Sequence, residues 1–343
     1  MKKMMMKLTA AALAAALIPM TLAGCGSSAK TETSAADAAA DTTADATADG
    51  DVYHIGICQL VQHDALDRAT QGFKDAIIET IGEDHVVFDE QNAQGDSQTC
   101  TTIANQFVTN NYDLIMANAT ASLQACANAT NEIPVVGTSV TSFSAALDIE
   151  LDENGCTGIN VTGTNDLAPL EEQAQIIADL FPDAQQVGIL YCSAEVNSQY
   201  QAEHIGEYLD ELGIPHKDFS FADSNELATV TTNACGECDV LYIPTDNVAS
   251  ANQNTIDGIT RPAGVPIIVG EESQCATCGL ASLSIDFYEI GHRAGEQACD
   301  ILLNGADPAT MPVEDPETLT RVYNAELAEL LGIEFSDEYQ PFE

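Results

Sequence analysis

The sequence predicts an α/β protein of two Rossmann-like lobes, each a parallel sheet covered by helices. Two observations carry this. Short apolar runs of strand length alternate with stretches whose apolar residues recur at helical spacing. The alternation then restarts near the middle of the chain, which makes two units of similar size. In such sheets the ligand-bearing loops lie beyond the carboxyl ends of the strands. A cleft between facing lobes is therefore the expected binding site.

The elements follow in order. Tyr53 to Leu60 is a short apolar strand, and Ala65 to Ile81 a helix with Leu66, Ala69, Phe73, Ala76 and Ile77 on one face. Asp64 and Asp67 sit where an N-cap and an N3 acid belong. Val86 to Phe88, Tyr112 to Ala117 and Ile133 to Thr138 read as strands, and Ser97 to Asn110 and Ser122 to Asn131 as helices. In the second unit the strands are Val187 to Tyr191, Phe219 to Phe221, Val240 to Ile243, Pro266 to Val269 and Leu280 to Ile285. The helices there are Ala168 to Leu180, Ser198 to Leu212, stretches near 225–234 and 248–259, and Tyr288 to Leu303.

Ahead of these units the chain has an export grammar. Lys2, Lys3 and Lys7 precede an apolar run from Leu8 to Leu22, and Leu22-Ala23-Gly24-Cys25 follows. The ending resembles a bacterial lipobox, in which cleavage precedes Cys25 and its thiol carries lipid. Residues 1–24 are thus expected to be a lipoprotein signal, with the mature chain tethered outside the cytoplasm rather than spanning a membrane. Residues 25–51 are almost entirely Ala, Thr, Ser, Asp and Gly, and read as a flexible acidic linker with too little apolar surface to order itself.

Charge bounds the partners. The chain holds 54 acidic and 10 basic residues. Three of those bases leave with the signal, so nucleic acid and anionic lipid headgroups are excluded as natural partners. No nucleotide fingerprint (GxGxxG, GxxxxGK[ST]), nucleophile elbow or HExxH motif is present, so neither an enzyme nor a cofactor is indicated. Eleven cysteines remain to be placed. Cys235–Cys238 and Cys275–Cys278 have CxxC spacing, but 36 residues separate the pairs, too many for a compact zinc ribbon. Without a metal, an extracytoplasmic address favours a disulfide within or between them. Cys58 and Cys192 lie in apolar strands and read as small core residues.

The loops carry a resemblance. Ile55-Gly56-Ile57-Cys58-Gln59-Leu60-Val61-Gln62-His63-Asp64-Ala65-Leu66-Asp67 with Gly72-Phe73, then Gln91-Asn92-Ala93-Gln94-Gly95-Asp96, Ala119-Thr120, Ile133-Pro134-Val135-Val136 and Asn160-Val161-Thr162-Gly163 come first. Val187-Gly188-Ile189-Leu190-Tyr191, Glu195-Val196-Asn197-Ser198 and Tyr242-Ile243-Pro244-Thr245-Asp246-Asn247 follow. In order and spacing, over about Val52 to Met311, they resemble the ABC-transporter substrate-binding lipoproteins of the tryptophan/tyrosine type. The resemblance implies a type I periplasmic-binding-protein fold, two lobes joined by three crossing segments. It also implies a monomer that delivers an amino acid (tryptophan, tyrosine or phenylalanine) to an ABC permease and ATPase. A sensory or structural binding lipoprotein is the alternative. The chain departs from the family at Val140-Thr141-Ser142-Phe143, where Val-Thr-Asp-Pro is usual.

Position and resemblance together nominate site residues. Asp246 follows the strand ending at Ile243, where an acid pairs with a ligand ammonium or caps the next helix; Asn247 adjoins it. Glu195, Asn197 and Ser198 follow the strand ending at Tyr191, and Asn197 or Ser198 is suited to cap a helix whose free N–H groups meet a carboxylate. Thr120 and Ser122 occupy the matching loop of the first lobe, with Thr141 after the fourth strand. Gln59 and His63 flank the first loop. The expected division is 52–160 plus 275–318 for lobe 1 and 161–274 plus 319–343 for lobe 2.

Overall fold

The computed structural model describes residues 52–342. The expected signal, Cys25 and acidic linker lie outside these residues. Lobe 1 alternates β1 (Tyr53–Gln59), α1 (Asp64–Ile81), β2 (Val86–Asn92), α2 (Ser97–Thr109), β3 (Leu114–Asn118), α3 (Thr120–Ala129), β4 (Val135–Val140), α4 (Phe143–Leu147) and β5 (Val161–Asn165). Its five strands run parallel in the order β2-β1-β3-β4-β5. The central strands are buried on both faces, as β3 and β4 show by having no exposed residue. That burial explains their continuous apolar runs.

Lobe 2 contains α5 (Leu170–Leu180), β6 (Val187–Cys192), α6 (Val196–Glu211), β7 (His216–Phe221), α7 (Ser224–Glu237), β8 (Val240–Ile243), α8 (Asn247–Ala251), α9 (Gln253–Ala263), β9 (Ile267–Val269) and β10 (Ala281–Ile285). The chain then returns to lobe 1 as α10 (Phe287–Asn304) and crosses back as β11 (Leu319–Tyr323), α11 (Ala325–Leu331) and β12 (Gln340–Pro341). The second sheet has the order β12-β11-β10-β9-β8-β6-β7, with β11 antiparallel to β10.

Three connections therefore cross between the lobes: β5 to α5, β10 to α10, and α10 to β11. The lobe boundaries differ from those expected. Residues 161–165 stay in lobe 1, because Val161 to Asn165 pairs along β4. Residues 275–285 stay in lobe 2, because Ala281 to Ile285 pairs with β9 and β11. Sequence periodicity marks nine of the strands but not β5, β11 or β12, and it does not say which sheet a strand joins.

Local details correct the reading in four places. His63, not Asp64, is the N-cap of α1, and its side chain makes no capping bond. Asp67 instead accepts from Gln59 Nε2 at 2.6 Å. The stretch near 248–259 is two helices broken at Asn252. Where the family's acid and proline are missing, Ser142 accepts from Ala145 N at 3.2 Å and caps α4, while Phe143 is buried in the lobe-1 core.

The cysteines also differ from expectation. All ten in the described residues are free thiols. Cys238, Cys275 and Cys278 join Cys192 in one apolar cluster of lobe 2. Burial raises the Cys278 thiol to about 12 and the Cys238 thiol to about 11, which keeps both protonated. In lobe 1, Cys58 donates to Ser122 Oγ at 3.7 Å, and Cys100 Sγ shares a hydrogen bond with the same hydroxyl at 3.6 Å inside the core. No described helix is long and apolar enough to cross a membrane.

The return of α10 depends on close contact with α1. A Cβ on Gly291 would stand 2.0 Å from the Ala69 carbonyl oxygen, and one on Gly72 2.2 Å from that of Tyr288. No side chain fits at either position. Gly291→Ala should therefore cost about 1–3 kcal/mol through forced separation of the helices, read as a lower melting temperature. Gly258→Ala, on the open face of α9 with no atom within 4 Å of its Cβ, should be neutral or stabilising. Because the thiols are core residues, neither a reductant nor a chelator should shift the melting temperature. A fall with either would show a disulfide or a structural metal.

Candidate functional site

The carboxyl ends of the strands in the two lobes meet in a cleft, and its lobe-1 wall has unusual backbone. Ala119, just after β3, has φ +86°, and Ser139, near the end of β4, has φ +55°. The pairing of β4 with β5 shifts register between Gly137 and Val140, so Ser139 sits on a bulge. Left-handed non-glycine residues cost energy and concentrate where a site needs them. The same wall holds buried polar atoms with no hydrogen-bond partner: Asn118 Oδ1, Ser139 Oγ, Asn165 Oδ1 and His63 Nδ1. Unpaired buried polar atoms cost about 1–3 kcal/mol each.

The lobe-2 wall is a set of carboxylates with their lone pairs already used. Asp246 is the N-cap of α8: Oδ1 accepts from Ala249 N at 2.8 Å and Oδ2 from Cys192 N at 2.6 Å. It thereby ties the end of β6 to the start of α8. Burial and the neighbouring Glu195 push its carboxyl up to about 7. Glu195 accepts from Asn247 N at 3.1 Å, Asn247 Nδ2 at 2.8 Å and Val248 N at 3.1 Å. Glu271 accepts from the Ser250 and Ser273 hydroxyls at 3.1 and 2.8 Å, and from Ser273 N.

The other expected residues fall in different places. Gln59 is wholly engaged inside lobe 1, donating to Asp67 and Val61 and accepting from Thr70. Thr120 opens α3, and Ser122 points into the thiol cluster rather than the cleft. Neither Asn197 nor Ser198 caps α6; its N-cap is Glu195, and Asn197 Nδ2 donates to Thr245 O at 2.9 Å. His63 Nε2 stands 3.2 Å from Asn247 Oδ1, which joins the lobes at the cleft edge.

Two further bonds cross the cleft. Gln201 Nε2 donates to Thr141 Oγ1 at 3.1 Å, and Thr141 donates onward to Asp166 at 3.0 Å. Arg68 on α1 reaches Glu272 in lobe 2 at 3.4 Å and Asp286 at the second crossing at 2.7 Å. The lobes are thus closed on one another. A recess of about 180 Å³ remains at the mouth, beside Val61, Gln94, Glu195 and Asn247. Asn118, Ser139, Asp166, Gln201 and Glu271 were not nominated from sequence. The polar endings of otherwise apolar strands, Thr138-Ser139 and Thr164-Asn165-Asp166, are the signal that marks several of them.

Every described Lys and Arg is held in an ion pair: Arg68, Lys74, Lys217, Arg261, Arg293 and Arg321. Only Arg68 stands at the cleft. A ligand carboxylate would therefore meet hydroxyls and backbone N–H groups, not a free base. For Asp246 the geometry gives a direct test. Asn supplies one acceptor where Asp supplies two, so Asp246→Asn should lose one backbone bond and about 1–3 kcal/mol of unliganded stability, with ligand affinity changed only a few-fold. A loss of affinity of about 30-fold or more at unchanged melting temperature would instead make it a ligand contact.

Comparison with known proteins agrees with this architecture. The family described as ABC transporter substrate binding protein matches residues 54–340. A tyrosine-binding protein of Clostridioides difficile is 32% identical over 284 residues, covering 82% of this chain and 81% of that protein. Among solved structures, an ABC domain of Streptococcus pneumoniae in complex with L-Trp is 31% identical at TM-score 0.79, covering 83% of this chain and 96% of the other. The ligand-free, open structure of a Clostridium difficile substrate-binding protein with adhesive properties is 32% identical at TM-score 0.65, covering 85% and 100%. The architecture is the type I periplasmic-binding-protein fold, and the chain belongs to the ABC transporter substrate-binding protein family, a family of transport receptors rather than enzymes.

Proposed function

We propose that this protein is a lipid-anchored, monomeric receptor outside the cytoplasm. It closes its two lobes around an aromatic amino acid and delivers it to an ABC permease. The observation that carries the ligand class is the composition of the cleft. One wall has unpaired polar atoms and strained strand ends, the other is built on buried carboxylates held by N–H and O–H donors, and no described base is free between them. That environment suits a zwitterion with an apolar side chain and opposes a polyanion. The names of the relatives, a tyrosine-binding protein and an L-Trp complex, support the aromatic choice. The Leu22-Ala23-Gly24-Cys25 ending supports the anchor.

Closure exchanges ligand hydration for fixed dipoles, and the three crossing segments absorb the motion. A thermal-shift and calorimetry series with L-tyrosine, L-tryptophan and L-phenylalanine tests the reading. At 100-fold excess over Kd, a ligand of the folded state adds about 2.7 kcal/mol, roughly 5 °C for a protein of this size. No shift with any amino acid, together with tight binding of a polyanion, would refute the ligand class.

A further inference from the structure

Asp166 stands apart from the other acids of the cleft. It lies on the first crossing between the lobes, directly after β5, and is 4% exposed. Asp246, Glu195 and Glu271 have both oxygens engaged with N–H and O–H donors, and Glu272 faces Arg68. Asp166 accepts from one other residue's side chain, the Thr141 hydroxyl, on Oδ1. Among the described residues no Lys, Arg or His pairs with it.

Its surroundings tie it to both lobes. Thr141, which holds Asp166, is itself held by Gln201 from lobe 2, and Gln201 grips both the N–H and the carbonyl of Thr245. The carboxylate is thereby linked to the closed arrangement of the lobes. Thr141, Asn165 and Leu167 line a cavity of about 320 Å³ together with Asp315, and Asp166 lies next to it in the chain without lining it. Asn165 Oδ1 is one of the buried atoms with no partner.

We infer that Asp166 is the group that receives the ligand's ammonium, with Thr141 orienting its carboxylate. The inference rests on the amino-acid reading above and names the residue that would enforce it. Burial and the nearby charge of Glu271 push the Asp166 carboxyl up to about 7. An incoming ammonium would restore the ionised form, because an opposite charge in contact favours it. A solute without a cation would leave the carboxylate uncompensated, and the site would select against it.

The test uses two probes, L-tyrosine and 3-(4-hydroxyphenyl)propionate, which lacks only the ammonium. Calorimetry is run on the wild type, Asp166→Asn and Asp166→Ser, with melting curves of each unliganded protein. In both variants L-tyrosine affinity should fall by about 30-fold or more, the propionate should bind as well as to wild type or better, and the unliganded melting temperature should hold or rise. Retention is expected because the change removes a buried charge that has no partner. Wild-type L-tyrosine affinity in the variants would overturn the assignment, and so would an equal loss for both probes. Unfolding of both variants would show a structural carboxylate and overturn it too. If the wild type binds neither L-tyrosine nor any other amino acid, the proposed function falls along with it.

Discussion

The close packing of α1 against α10 is the contact on which the two-lobed architecture depends. After β10 the chain has completed a parallel run in lobe 2, and a return to lobe 1 requires a docking place there. Gly72 and Gly291 provide it by letting the backbones of two 18-residue helices approach where no Cβ fits. α10 then packs on β4 and β5, the strands whose carboxyl ends form the lobe-1 wall. Thr164 Oγ1 donates to Ile290 O at 3.1 Å, which fixes β5 to that helix just ahead of Asp166. The same contact that brings the chain back thus positions the first crossing.

Charge imposes the second constraint. With 54 acids and 10 bases in the whole chain, few carboxylates have a cation to pair with. The exposed ones are solvated. The buried ones at the cleft are stabilised by N–H and O–H groups: Asp246 by two backbone donors, Glu195 by the start of α8, and Glu271 by two serines. Such carboxylates act as struts, since Glu195 and Asp246 tie the end of β6 to the start of α8 and Glu271 ties the end of β9 to α8. Their saturation makes the lobe-2 wall rigid and leaves the less satisfied Asp166 at the junction.

Closure rests on few bonds. His63 with Asn247, Gln201 with Thr141, and Arg68 with Glu272 cross between the lobes. Arg68 is 46% exposed at its side chain, where solvent screening weakens an ion pair. A receptor that must reopen needs weak closure of this kind, so that the ligand's own contacts decide the equilibrium.

Sequence alone determined the local elements and the class of architecture. Periodicity located the strands Val187 to Cys192 and Val240 to Ile243 within a residue, because buried parallel strands need continuous apolar runs. Ordered loop motifs also located the family. Only the tertiary structure decided which sheet each strand joins, and it alone revealed β5, whose polar sequence Val-Thr-Gly-Thr-Asn carries no continuous apolar run. It alone showed that Asp246 is spent on Ala249 and Cys192, that Ser122 faces thiols, and that the CxxC cysteines lie in an apolar core. A residue type states what bonds a side chain is able to make. Which of them remain open for a ligand depends on neighbours far away in the chain, as with Thr141, Asp166 and Gln201.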